Sequence, residues 1–189
     1  MKTTPNLQPQ LTGETIQLRP LQSTDFEALF AVAADPLIWQ QHPEPTRYQR
    51  PVFEKYFASA IEGNAAFVVI DKVSGDIIGS SRYYEWNEQE NEVAIGYTFL
   101  ARAYWGGATN REMKQLMLEH IFQTVDRVWF HIGKDNLRSR KAMEKIGGEF
   151  SHVETTNVGD LLRETAFYKI DKEKYSCTLR DHTSITQPT

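Results

Sequence analysis

The chain has 189 residues, 40% of them hydrophobic and 24% charged, with a net charge of −4 and one cysteine. This is the composition of an ordinary globular domain, which on folding buries about 70% of the surface its unfolded chain exposes. A lone Cys177 excludes an internal disulfide framework and fits a cytoplasmic setting, while the acidic balance argues against nucleic acid as a partner.

Residues 1–12 read as a flexible lead-in, 13–176 as one domain and 177–189 as a polar tail. Met1 to Gln10 is polar and proline-containing, unlike a signal peptide, and no apolar run is long enough to span a membrane, so no membrane partner is expected. Thr15 to Leu21 alternates and predicts the first strand. Thr24-Asp25-Phe26-Glu27 has the pattern of a capping box, opening a helix through Ala33 that Asp35-Pro36 stops. Leu37 to Arg50 carries Trp39, His42, two prolines and Tyr48 without a period. Pro51 suits the first turn of a second helix, with Phe53, Tyr56, Phe57, Ala60 and Ile61 inward and Gly63 at its end. Strands are then predicted over Ala66 to Asp71, Ile77 to Trp86 and Glu92 to Phe99.

The next stretch organises the rest. Trp105-Gly106-Gly107-Ala108-Thr109-Asn110 follows a strand and opens a helix whose apolar face comprises Met113, Leu116, Met117, His120, Ile121 and Val125. Strand, glycine turn and helix together direct backbone N–H groups and the positive end of the helix dipole at one point, a geometry suited to phosphate. A plain strand-to-helix connection is the alternative. Val128 to Ile132 reads as a short buried strand, leading to Asn136 as N-cap of a helix that carries Ser139, Ala142, Met143 and Ile146 and ends at Gly147. Glu149 to Thr156 and Glu164 to Ile170 are expected to pair across a turn at Asn157 to Asp160.

A Trp-Gly-Gly turn opening a long helix, then a strand, then Asn-x-x-Ser-x-x-Ala-x-x-Lys-x-Gly, resembles the GNAT acetyltransferase superfamily and is most similar to its RimJ/RimL-like branch, over roughly Glu14 to Tyr175. The resemblance implies a single α/β domain with a mixed, mostly antiparallel sheet flanked by helices. Two central strands would splay to form a cleft for acetyl-CoA. The implied reaction is transfer of acetyl from acetyl-CoA to an amine acceptor, a protein N-terminus or a small molecule, and the family leaves a homodimer open as the assembly.

By the same resemblance, Trp105, Gly106, Gly107, Ala108, Thr109 and Asn110 would hold the pyrophosphate. Thr98, Phe99 and Leu100 would offer backbone groups to the pantetheine arm, and Asn136 would serve as both cap and pantetheine partner. Ser139 stands where related enzymes place a hydroxyl for the departing thiolate; an exposed helix serine is the plain alternative. This chain has Ala94 where the branch often carries a carboxylate, which leaves Glu92, two residues earlier on the same strand face, as the substitute catalytic base or as a solvent-facing residue. Glu85, His131 and Glu154 are further possible bases. The five histidines show no metal-ligand spacing, so no metal is expected. Two other readings compete with the transferase. One is a GNAT-fold module that holds coenzyme A without turnover. The other is a phosphate-loop nucleotide binder, disfavoured because Gly-x-x-x-x-Gly-Lys-Ser/Thr is missing.

Overall fold

A computed structural model of the chain describes residues 3–158 and 161–175. The chain forms an eight-stranded sheet with helices on both faces, in the strand order β1-β2-β3-β4-β5-β6-β8-β7. The strands are β1 (Leu11–Thr12), β2 (Ile16–Pro20), β3 (Ala66–Asp71), β4 (Ile77–Asn87), β5 (Glu92–Leu100), β6 (Arg127–Gly133), β7 (Glu149–Val158) and β8 (Leu161–Asp171). The helices are α1 (Phe26–Ala33), α2 (Pro36–Trp39), α3 (Arg50–Glu62), α4 (Thr109–Ile121) and α5 (Leu137–Lys145). All neighbouring strands run antiparallel except β5 and β6. This is the mixed, mostly antiparallel α/β domain expected.

Two apolar layers sandwich the sheet. On one face Val93 and Ile95 of β5 and Val128 and Phe130 of β6 join Met113, Met117, Leu118 and Ile121 of α4 and Met143 of α5. On the other, Ala66, Val68 and Phe99 meet Leu29 and Ala33 of α1, Ile38 and Trp39 of α2, and Phe53, Tyr56, Phe57 and Ala60 of α3. Strand periodicity explains the division in β3, where Phe67 and Val69 face one layer and Ala66 and Val68 the other, while an irregularity in β5 puts Phe99 on the face opposite Val93 and Ile95.

Several boundaries differ from expectation for identifiable reasons. The lead-in is tethered: Leu7 and Leu11 pack on the core, β1 pairs with β2, and the His120 ring lies 2.8 Å from the Asn6 carbonyl. No capping box forms at Thr24. The Asp25 carboxylate instead accepts from the Gln22 N–H at 2.8 Å and binds Arg19 bidentately, so it anchors the turn before α1 rather than the helix itself. Asp35 caps a new short helix, α2, by accepting from the Leu37 N–H, so the segment without a period begins with a turn of helix that buries Trp39. Ile61, expected inward, is 37% exposed because it falls off the Phe53–Tyr56–Phe57–Ala60 stripe of α3. β7 and β8 pair further than expected, to Val158↔Leu161. The full turn predicted there and the tail from Cys177 lie outside the described residues.

Candidate acetyl-CoA cleft

The one parallel junction is short. β5 and β6 pair at Glu92↔Arg127, Val93↔Val128 and Ala94↔Trp129, and then diverge. From Ile95 to Leu100 and from Phe130 to Gly133 the two strands form the walls of a cleft of about 270 Å³. A β-bulge helps to open it. Ser80 pairs with Phe99 but Arg82 with Gly96, so β5 carries one extra residue, and Tyr97 takes a left-handed φ of 53°. The Tyr56 hydroxyl donates to the Tyr97 carbonyl at 2.9 Å and holds the bulge in place. Gly96 is required next to it, since a Cβ there would come within 2.8 Å of the Tyr84 ring.

The mouth of the cleft is built by two helix starts. Gly106, at φ 74°, turns the chain into α4, and a Cβ on Gly106 or Gly107 would meet nothing within 4 Å. Open space therefore lies beside unpaired N–H groups of the first turn, as an approaching anion requires. Asn136 caps α5, its side chain accepting from the Ser139 N–H at 3.1 Å. Trp105, Gly106, Asn110, Asn136 and Ser139 line the cleft together with Thr98, Phe99 and Leu100. Gly107, Ala108 and Thr109, also expected there, do not line it; they form the turn and first residue of α4. One backbone expectation is narrowed: Phe99 is paired with Ser80 of β4, and the Leu100 carbonyl already accepts from Trp105 Nε1 at 2.9 Å, which leaves Thr98 as the candidate pantetheine edge.

The expected bases fall in different places. Glu92 lies at the closed end of the fork, where Trp129 Nε1 donates to it at 2.8 Å and Arg127 stands 3.8 Å away, and it does not line the cleft. It opens onto a second, shallow depression with Glu85, Ala94, Trp129, His152 and Glu154. His131 borders both spaces. Its ring packs on Phe167 at 4.3 Å between centroids, and its Nδ1 lies 3.6 Å from a Glu85 oxygen. Burial lowers its pKa below the usual histidine value, an effect that Glu85 and Glu154 only partly offset.

A group the helical pattern missed is Lys114. It lies on the inner face of α4, only 7% exposed, and its ammonium donates to Thr98 Oγ1 at 2.6 Å and to Ser81 Oγ at 3.3 Å. It lines the cleft near Phe130, and burial without a carboxylate lowers its pKa to about 7. The spacing 114, 117, 118, 121 was the available signal, since it places the lysine on the apolar stripe. Among the described residues no group of three or more His, Cys, Asp and Glu is arranged to hold a metal, and no helix is long and apolar enough to cross a membrane.

Residues 15–149 match the family described as the Acetyltransferase (GNAT) domain. The chain is a GNAT acetyltransferase family member. A GNAT-family structure from Chromobacterium violaceum, a probable acetyltransferase, superposes with a TM-score of 0.83 at 20% identity, covering 93% of this chain and 92% of the other. A GCN5-related N-acetyltransferase from Brucella melitensis gives 0.80 at 20% identity, covering 100% and 88%. RimJ of Mycobacterium smegmatis, solved with CoA-disulfide, gives 0.67 at 16% identity, covering 84% and 83%. No curated protein sequence is significantly similar. These likenesses establish the GNAT fold.

Proposed function

We propose that this GNAT protein is an acetyl-CoA-dependent N-acetyltransferase of the RimJ/RimL-like branch, acting on an amine in the cytoplasm. The observation that carries the reading is the fork between β5 and β6, with two helix N-termini at its mouth. The RimJ relative solved with CoA-disulfide supports the same cofactor class here. The cleft fits the group. The space around Gly106 and Gly107 admits a pyrophosphate, the backbone at Thr98 offers pairing to an extended amide chain, and Asn136 and Ser139 flank it. Acetyl-CoA would supply the activated thioester.

The remaining work falls to side chains. An amine must be neutral to attack, so a proton acceptor has to reach it. In our reading that acceptor is His131, which borders the cleft and is neutral at pH 7 because burial lowers its pKa. Glu85, 3.6 Å away, stabilises the imidazolium that forms. Ser139, on the opposite lip, can give a proton to a leaving sulfur. Lys114 keeps a donor under Thr98 at the floor. Glu92 is left with a structural role, pinning Trp129 at the closed end of the fork.

The test is release of coenzyme A from acetyl-CoA over a panel of peptides, amino acids, polyamines and aminoglycosides. Turnover with one acceptor class, lost in His131→Gln while acetyl-CoA binding is retained, is the expected result. Acetyl-CoA binding with no turnover on any amine would overturn the reading in favour of a binding module.

A further inference from the structure

Beside the cleft, on the α3 side of the sheet, lie two arginines that no carboxylate approaches within 4 Å among the described residues. Arg82 projects from β4, where it pairs in register with Gly96. It is 8% exposed, its Nη1 donates to Ser59 Oγ at 3.1 Å, and its buried Nε has no partner. The bulge sets the Tyr97 ring against it, 3.4 Å from guanidinium carbon to ring centroid. Arg47 comes from the loop between α2 and α3 and stacks on Trp39 at 5.1 Å and Tyr56 at 4.8 Å. Its Nε is likewise buried and unpaired.

Its hydrogen-bond neighbour is a poor one, although Glu44 attracts it from further away. Arg47 Nη1 lies 3.2 Å from His42 Nε2. The Glu44 N–H already donates to His42 Nδ1 at 3.0 Å, and burial keeps this imidazole neutral. The single ring proton therefore sits on Nε2, facing Arg47, so that two donors confront each other. Burying a cation with unsatisfied donors costs free energy, and here two such cations share one aromatic box. An acceptor-rich anion between them satisfies the idle N–H groups, and the planar fork of a guanidinium matches a carboxylate. The box adjoins the cleft: Trp39, His42 and Tyr97, which contact these arginines, are also cleft walls.

We infer that the acceptor amine belongs to a molecule that also carries a carboxylate, and that Arg47 and Arg82 seat that carboxylate beside the cleft. This rests on the acetyl-transfer reading and narrows it, since a polyamine would bring its positive charges against two buried arginines. The chemical class is an amino acid, with the carboxylate at the arginines and the amine directed to the cleft.

Two measurements test it. In the first, coenzyme A release is compared for amino acids and for the same compounds as carboxamides. The acids should exceed their amides in kcat/KM by about ten- to a hundredfold, the range of a charge-assisted hydrogen bond or two. Arg82→Lys and the more exposed Arg47→Gln should raise KM for the acid with little change for the amide or for acetyl-CoA. Equal rates for acids and amides, or variants that keep the preference, overturn the inference. The second needs no turnover: N-acetylated amino acids should raise the melting temperature of wild type but not of Arg47→Gln, whereas their carboxamides should do neither. If no carboxylate raises it, the site is refuted whatever the enzyme acetylates. If the shift is present but no amine is acetylated, the acetyl-transfer reading fails and the carboxylate site stands.

Discussion

Replacing Lys114 with methionine should stabilise the protein, and by an amount that depends on pH in a defined direction. In the unfolded chain a lysine titrates at 10.5, whereas burial in the floor of the cleft lowers the folded value to about 7. Below pH 7 both states are protonated, and the fold bears the whole cost of an enclosed ammonium. Between 7 and 10.5 the unfolded state binds more protons than the folded one, so stability rises with pH; above 10.5 the cost is gone. A difference of 3.5 units (10.5 less 7) corresponds to about 5 kcal/mol at 1.36 kcal/mol per unit. The cost is therefore about 5 kcal/mol at pH 6 and about 1 at pH 9.5. Methionine has similar length and removes the charge, but it strips Thr98 and Ser81 of a donor, at about 1 kcal/mol each. The net expectation is a gain of about 3 kcal/mol at pH 6 that falls to nothing or turns slightly negative at pH 9.5. Urea unfolding of wild type and Lys114→Met at both pH values measures it, and subtracting the pair at each pH cancels every other titrating group. A difference that is the same at both would refute the argument, because it would mean that Lys114 is charged in the fold at pH 9.5.

Three further outcomes follow from the cleft. Acetyl-CoA at 100 Kd should stabilise the protein by about 2.7 kcal/mol, and Gly107→Glu should remove most of that. The site has room for a side chain, so a folded Gly107→Glu that still binds as wild type would relocate the pyrophosphate. Ser139→Ala should lower kcat with little change in acetyl-CoA affinity, the mark of an interaction made mainly in the transition state, and an unchanged kcat would leave Ser139 only its place beside Asn136. The kcat/KM profile should show an acid limb below pH 6.5, because burial lowers the His131 pKa and the base is neutral above it; Glu85→Gln should move that limb lower still, and a limb unchanged in His131→Gln would name another base.

The sequence carried most of the fold because its strands and helices are strongly patterned. Ala66–Asp71 falls where its β-branched run lies, and α5 follows its N-cap Asn136 and stops before Gly147, at φ 85°, as its cap chemistry requires. The glycine turn before α4 was legible for the same local reason. What escaped is non-local. Lys114 reads as a surface lysine until its stripe is counted, and even then nothing in the chain says that Thr98 and Ser81 will meet it. His131 reads only as one of three further possible bases, since the divergence of β5 from β6 that exposes it depends on a bulge whose left-handed residue is Tyr97 and not the neighbouring Gly96. Arg47 comes from a loop without a period and Arg82 from a strand 35 residues on, and only the packing of α3 on the sheet brings their guanidinium groups to the same aromatic rings.

The three rungs between β5 and β6 carry a mechanical meaning. In its hydrogen-bond ladder the sheet is two plates, one of strands β1 to β5 and the other of β6, β8 and β7, joined along a seam three residues long. Every other junction within the plates is longer, apart from the two-residue edge at β1. The angle between the plates is therefore the softest coordinate of the ladder. His131 rides on one plate, while Arg82 and Tyr97 ride on the other. A small rocking about Ala94 and Trp129 thus changes the gap between the proposed proton acceptor and the arginine proposed to hold the far end of the substrate. In that reading, whatever bridges the plates also gauges the length of the molecule that fits between them.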